Sequence, residues 1–167
     1  PCGPLKVVGD SDKHGSIVRF KADPLIFQET QVYDFDTLNS RIRQLAFLNK
    51  GIKLVINDER NEEPRRIEYK YDGGIRQYVE YLNKNKNPLH DEVVYVEGIE
   101  DGILIEIAMQ YNDGYIPNIY SFCNNINTME GGTHEDGFRL ALTRIINTYA
   151  REQGMIKKDE TLAGDDV

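Results

Sequence analysis

The side chains that most often carry chemistry are few in this sequence. Three histidines occur, His14, His90 and His134, and none lies in an H-E-x-x-H pattern or at zinc-ligand spacing from a cysteine or carboxylate. The two cysteines, Cys2 and Cys123, lie far apart and have no C-x-x-C neighbour. We therefore expect no catalytic residue and no metal ligand in the chain, and two unpaired thiols in a reducing compartment.

The glycines offer one candidate binding feature. The sequence contains no P-loop, no G-x-G-x-x-G and no G-x-S-x-G pattern. A glycine elbow at residues 130–133 precedes an expected helix, and the free N–H groups at a helix start attract anions. The elbow is thus either a phosphate site or a sharp turn with Thr133 as the helix cap, and we favour the turn. Gly15 and Ser16, at the start of an expected strand, are chemically quiet by themselves.

Composition limits the class of protein. The chain has a formal net charge of −8, whereas a domain that grips duplex DNA by itself usually carries a basic surplus. No apolar run approaches the roughly 20 residues of a membrane-spanning helix, and the start does not resemble a signal peptide. We expect a soluble, cytoplasmic protein with no membrane partner. Both ends look cut, and we expect a fragment of a larger protein.

The first part of the chain predicts strands followed by a helix and a hairpin. Alternating and β-branched residues predict strands at 5–8 and 16–21. An apolar stripe predicts a helix at 36–49, which Gly51 ends. Segments 52–56 and 66–71 predict a hairpin.

The second part begins after a break at residues 72–74, which is the strongest internal boundary. Apolar residues at helical spacing predict a helix from residue 75 to residue 82. Segments 93–96, 103–111 and 118–123 predict a meander of strands with one covered face, turned first at Asp101-Gly102.

The longest helix is predicted at residues 133–153, with Gly154 closing it. Thr133 followed by Asp136 approximates a capping box. The expected apolar stripe consists of Phe138, Ala141, Leu142, Ile145 and Tyr149.

Residues 124–138, NNINTMEGGTHEDGF, closely resemble the transducer signature of the ATPase subunits of bacterial type IIA DNA topoisomerases, gyrase B and its topoisomerase IV counterpart. The residues at 124–128 and 78–83 are more similar to those of gyrase B than to those of topoisomerase IV. The resemblance extends in order along essentially the whole chain. The further matching segments are LAFLNKG at 45–51, YKYDGGI at 69–75, YVEYLN at 78–83, QYNDG at 110–114 and GDD at 164–166.

The resemblance implies an α+β fold in two parts. Residues 1–71 would be the C-terminal part of a GHKL ATPase domain, and residues 72–167 the N-terminal part of a transducer domain similar to ribosomal protein S5 domain 2. Family members couple ATP binding and hydrolysis, with Mg²⁺, to DNA strand passage and negative supercoiling. The implied partners are DNA and the gyrase A subunit, with ATP-dependent dimerisation of gyrase B inside an A2B2 complex.

The resemblance assigns one contact to this chain. Family members place a threonine or serine after a glycine beside the adenine, which implies that Ser16, after Gly15, contacts the nucleotide. The other ATP- and magnesium-binding residues of the family are expected outside residues 1–167, so we expect the chain alone to be inactive. The alternatives are a fragment of the topoisomerase IV B subunit that serves decatenation, a stand-alone S5-like nucleic-acid-binding module, and a structural fragment or degenerate paralogue.

Overall fold

The computed structural model describes residues 3–157 and 159–167, so the expectation of an unpaired thiol at Cys2 lies outside the described residues. The chain divides into two compact units, Pro1–Phe35 and Asp36–Val167. The regular elements lie almost entirely in the second unit, and the mixture of helices and strands is that of an α+β chain.

The first unit contains neither helix nor strand in its described residues before Phe35, so the predicted strands at 5–8 and 16–21 are wrong. Ile17 and Val18 are 98% and 82% exposed. An alternating pattern forms a strand only when a neighbour takes up its backbone hydrogen bonds and covers one face, and no described segment does so here. A local turn is present, in which the Asp23 carboxylate accepts the amide of Leu25 at 2.9 Å.

Helix α1, Phe35–Leu48, confirms the helix predicted at 36–49. The helix ends at Leu48, and Gly51, three residues further on, has a φ of +79°, a conformation that glycine adopts without strain. The Gly51 amide donates to the carbonyl of Tyr71 at 2.9 Å. The chain turns there into strands β1, Lys53–Asp58, and β2, Arg65–Lys70. These strands pair antiparallel, as predicted.

Helix α2, Gly74–Asn83, follows the break at residues 72–74, as predicted. Strands β3, Val94–Glu100, and β4, Ile103–Met109, then form an antiparallel hairpin. Its turn residues Asp101 and Gly102 have φ angles of +50° and +77°, as an Asp-Gly hairpin turn requires.

The predicted meander with one covered face is wrong. The strands instead form three separate two-stranded sheets. Of the strand predicted at 118–123, only the last two residues form a strand, β5, Phe122–Cys123. It pairs with β6, Ile126–Asn127. Helix α2 packs against β4, yet Ile103 and Ile105, next to the hairpin turn, remain 65% and 45% exposed.

Helix α3, Thr133–Glu152, confirms the longest predicted helix, but not its cap. Gly132 is the N-cap residue and no side chain caps it, so the predicted capping box of Thr133 and Asp136 is wrong. Gly154, with a φ of +66°, ends the helix as expected, and the Met155 amide donates to the Ala150 carbonyl at 2.8 Å.

The covered face of α3 differs from the predicted stripe. Ile145 and Tyr149 are 61% and 56% exposed, whereas Asn147 and Ala150 are buried. The C-terminal segment causes the difference, because Asn147 binds the carbonyl and amide of Leu162 at 2.9 and 2.8 Å. A 3-10 turn, Gly164–Asp166, follows. Within the described ranges 3–157 and 159–167, no helix combines the length and apolarity needed to cross a membrane.

Candidate functional site

The sequence-predicted nucleotide contact lies in the first unit. Gly15 and Ser16 are exposed and lie outside regular secondary structure. Neither residue lines the cleft beside the glycine elbow or the cleft around Asn85 and Tyr115. The role of Ser16 therefore remains a prediction.

The family signature forms a chain of hydrogen bonds beside the glycine elbow. The Ser121 hydroxyl donates to Oε2 of Glu135 at 2.7 Å and lies 2.7 Å from Oγ1 of Thr128. Thr128 Oγ1 lies 3.1 Å from Nε2 of His134. Because Ser121 has one proton and gives it to Glu135, Thr128 donates to Ser121 and accepts from His134. The resulting order of donation is His134, Thr128, Ser121, Glu135.

The Glu135 carboxylate, which is the last acceptor in this series of hydrogen bonds, is held in its charged form. The hydrogen bond from Ser121, followed by those from Arg139, lowers the pKa of Glu135. Arg139 contributes two bonds, from Nε at 3.1 Å and from Nη2 at 3.0 Å. Two hydroxyls, an imidazole and a paired carboxylate fix the signature against the first turn of α3, and this is the arrangement of a structural clasp.

The glycine elbow is a sharp turn, as favoured above, but Thr133 does not cap the helix, because the N-cap residue is Gly132. Gly131 has a φ of +75°, and a Cβ on Gly132 would lie 3.0 Å from the His134 ring. The adjoining cleft has a volume of about 710 Å³. Its walls carry three carboxylates, those of Glu130, Glu135 and Asp136, against the single guanidinium of Arg139. This negative lining opposes a phosphate, so the geometry does not favour the anion-site alternative.

A second cluster, the aromatic joint, connects α1 with the segment after it. Phe47 is 1% exposed and stacks on Tyr71 at a centroid distance of 3.6 Å with an interplanar angle of 10°. Its ring also meets Tyr78 at 5.0 Å and Tyr81 at 5.4 Å. We define the aromatic joint as Phe47 with Tyr69, Tyr71, Tyr78, Tyr81 and the cation Arg43.

Directional bonds orient the aromatic joint. The Arg43 guanidinium donates to the hydroxyls of Tyr69, at 2.9 Å, and of Tyr81. The Tyr69 hydroxyl in turn donates to Oδ1 of the buried Asn39 at 2.8 Å. The Tyr69 hydrogen bond is the main cause that raises the pKa of Arg43. Burial raises the pKa of the Tyr78 and Tyr71 phenols.

The tip of the β5–β6 hairpin contacts α1 directly. Asn124 and Asn125 have φ angles of +49° and +65°, a conformation that asparagine tolerates better than most residues. Nη2 of Arg41 donates to the Asn125 carbonyl at 3.0 Å. Nδ2 of Asn125 donates to Oδ1 of Asn49, also at 3.0 Å. Sequence reasoning missed this contact, because the paired asparagines indicate a turn but not its partners.

The remaining chemistry-bearing side chains make local contacts. His14 is exposed, and Cys123 is a free, exposed thiol. His90 lies 2.6 Å from the Glu92 carbonyl through Nδ1 and accepts the Tyr111 amide at Nε2 at 3.0 Å. No group of three His, Cys, Asp or Glu side chains suited to a metal ion occurs in residues 3–157 and 159–167.

Comparisons with known proteins find similarity to DNA gyrase B. The family model described as DNA gyrase B matches residues 74–167. The DNA gyrase B subunit of Bacillus cereus is 58% identical over 168 residues, covering 100% of this chain and 41% of that protein. The DNA gyrase B subunit of Staphylococcus epidermidis is 55% identical over 164 residues, covering 98% of this chain and 26% of that protein. The chain thus spans less than half the length of these curated relatives.

Solved structures of gyrase B proteins have a similar fold. The 43K ATPase domain of Thermus thermophilus gyrase B, solved in complex with an aminocoumarin, superposes with a TM-score of 0.70 at 28% identity. That match covers 86% of this chain and 39% of the other. The gyrase B-subunit of Myxococcus xanthus gives a TM-score of 0.67 at 26% identity over 74% of this chain and 35% of the other.

The fold is therefore of the α+β class found in gyrase B ATPase domains, as the resemblance implied. The chain belongs to the DNA gyrase B family. The topoisomerase IV alternative is not favoured by these relatives.

Proposed function

We propose that this chain is the part of a gyrase B protein that couples ATP binding and hydrolysis to DNA strand passage and negative supercoiling. The aromatic joint is the observation that supports this role. It packs α1, at the end of the proposed ATPase part, against α2, at the start of the proposed transducer part. A change in the position of one helix must therefore displace the other or break a tightly stacked core.

We propose the domain limits 1–71 and 72–167 on the family resemblance. The compact units of the structure divide elsewhere, after Phe35. Both divisions are compatible with coupling, because the joint makes α1, β2 and α2 one packed body across residue 72. The family match over residues 74–167 is consistent with a unit that begins there.

The activity of the whole protein is part of the same proposal. We propose a cytoplasmic ATP-dependent topoisomerase that acts on DNA with the gyrase A subunit in an A2B2 complex, with ATP-dependent dimerisation of gyrase B. Its Mg²⁺ requirement follows from the family chemistry. Residues 3–157 and 159–167 do not offer a cluster suited to that ion, so no step through magnesium is assigned to this chain.

The decisive experiment uses the complete gyrase B protein with its gyrase A partner. We expect relaxed plasmid to become negatively supercoiled only when ATP and Mg²⁺ are present. We further expect the 167-residue chain alone to release no phosphate from ATP above background. Supercoiling that does not depend on ATP would contradict the coupling role, and hydrolysis by the purified chain would contradict the placement of the catalytic groups outside it.

A narrower prediction concerns Ser16, which we propose contacts the nucleotide beside Gly15. In the complete gyrase B protein, Ser16→Ala should weaken nucleotide or aminocoumarin binding by about 1 kcal/mol, since it removes one hydrogen bond. Isothermal titration calorimetry measures the change. Ser40→Ala, at an exposed serine of α1, is the matched control and should leave affinity unchanged. Equal affinities for all three proteins would remove Ser16 from the site.

A further inference from the structure

The β5–β6 hairpin with its flanking residues, 121–128, is anchored at both ends, and we call it the signature hairpin. At its base, Ser121 and Thr128 join the clasp that holds the first turn of α3. The Thr128 amide also donates to the Ser121 carbonyl at 2.9 Å, which closes the base. At its tip, Asn125 contacts α1. The hairpin therefore spans from α3 to α1.

The two tip contacts form a clamp with opposite hydrogen-bond polarity. The Asn125 carbonyl accepts from the Arg41 guanidinium, while the Asn125 side chain donates to the Asn49 side chain. The contacts lie about two helical turns apart along α1 and its C-terminal end, so together they resist rotation of the hairpin as well as translation. Asn49 is itself held, since its Nδ2 donates to the Leu45 carbonyl at 2.8 Å.

We propose that Asn125 is the positioning residue through which the signature hairpin couples α3 to α1. This inference rests on the proposed function and names the contact that carries it. A displacement of α3 moves the clasp and therefore the hairpin base. The clamp passes that displacement to α1, whose residue Phe47 anchors the aromatic joint. Asn125 itself need not touch nucleotide or DNA.

The asparagine pair supplies a sharply matched control. Asn124 and Asn125 occupy the same turn, and both have a positive φ. Asn125→Gly preserves the turn, because glycine adopts this backbone readily, and removes the bond to Asn49. Asn124→Gly makes the same chemical change next to it. Among residues 3–157 and 159–167, the side chain of Asn124 has no hydrogen bond that this change would remove.

The test uses the complete gyrase B protein reconstituted with its gyrase A partner. The readout is the coupling ratio, which is the number of supercoils introduced per ATP hydrolysed. We expect Asn125→Gly to lower this ratio by about threefold to tenfold, the effect of one lost hydrogen bond on an equilibrium. The KM for ATP should remain unchanged, because no nucleotide contact is altered. Asn124→Gly should retain the wild-type ratio.

A second variant tests the other half of the clamp. Arg41→Met removes the donor to the Asn125 carbonyl and keeps an apolar stem of similar length. We expect it to lower the coupling ratio in the same direction as Asn125→Gly. Thermal melts of each variant separate this effect from loss of folding. A merely structural role would lower the melting temperature, but the protein that remains folded would keep the wild-type coupling ratio.

The outcomes are distinct. A fall in the ratio for Asn125→Gly and Arg41→Met, with Asn124→Gly unchanged, supports the clamp. An unchanged ratio in both clamp variants overturns it, as does an equal fall in Asn124→Gly, which would assign the effect to the turn backbone. If the wild-type complex itself shows no ATP-dependent supercoiling, the proposed function fails instead, and the two failures are distinguishable.

Discussion

Replacing Phe47 by leucine tests whether aromatic stacking, rather than apolar volume alone, holds α1 against α2. Phe47 is 1% exposed and is the largest fully buried side chain among the described residues. Leucine retains most of the apolar volume but cannot stack. The substitution therefore removes the ring contacts to Tyr71, Tyr78 and Tyr81 while keeping the position filled.

The magnitude follows from the three contacts. An aromatic pair contributes about 0.5–1.5 kcal/mol beyond its buried area, so the three pairs together contribute about 1.5–4.5 kcal/mol. The Tyr71 pair belongs at the upper end, because its rings are nearly parallel at 3.6 Å. The leucine side chain recovers part of this stabilisation through dispersion contacts, and we expect the free energy of unfolding to fall by about 2–3 kcal/mol. For a chain of 167 residues this lowers the melting temperature by roughly 5–10 °C.

The assay is urea unfolding of the chain, followed by far-ultraviolet circular dichroism and by tyrosine fluorescence, since the sequence has ten tyrosines and no tryptophan. Phe27→Leu is the matched control, because Phe27 is 51% exposed and its replacement should change the free energy of unfolding by less than about 0.5 kcal/mol. Equal losses for Phe47→Leu and Phe27→Leu would refute the claim that stacking stabilises the joint.

Two further predictions concern the glycine elbow and the clasp. Gly132→Ala should lower the free energy of unfolding by about 1–3 kcal/mol, since φ is +153° and the new Cβ would lie 3.0 Å from the His134 ring; Gly98→Ala, with nothing within 4 Å, is the control, and equal melting temperatures would contradict the strain. The folded-state pKa of Glu135 is below its ordinary value of 4.5, so its stabilising effect is present above that value and is lost as pH falls through the folded pKa. In the Glu135→Gln variant, the free energy of unfolding should therefore fall less than in wild type when the pH is lowered from neutral to below 4.5, as measured by urea midpoints. The control variant, Glu152→Gln, should keep the pH dependence of wild type. A wild-type pH dependence in Glu135→Gln would contradict the prediction.

Local patterns predicted the elements whose stability is largely local. Periodicity located α1, α2 and α3 to within a residue or two, and glycines at 51 and 154 marked two helix ends, because a left-handed residue terminates a helix wherever it occurs. The Asp101-Gly102 turn was predictable for the same reason. The strands predicted at 5–8 and 16–21 do not form, since alternation describes the two faces of a strand but does not provide its pairing partner.

The side-chain contacts of the candidate sites were even less predictable from local sequence patterns. The family signature marked residues 124–138 as distinctive, yet its physical role depends on Ser121, outside that segment, and on Glu135 within it. The clamp joins Asn125 to Arg41, and 84 positions separate them in the sequence. No periodicity reports such a pair. Thr133 was a reasonable cap by residue type, but the elbow places Gly132 at that position and Thr133 inside the helix.

The chemical character of the joint fits a coupling element better than an aliphatic core would. A core of leucine and valine holds two helices by the fit of their side chains alone, without the directional preferences of stacked rings and hydrogen bonds. Stacked rings and the bonds from Arg43 to Tyr69 and Tyr81 have defined directions, and a small rotation of α1 breaks several together. Such a joint has few alternative arrangements. For the proposed coupling through the signature hairpin, we therefore expect the joint to transmit a displacement of α1 to α2 rather than absorb it.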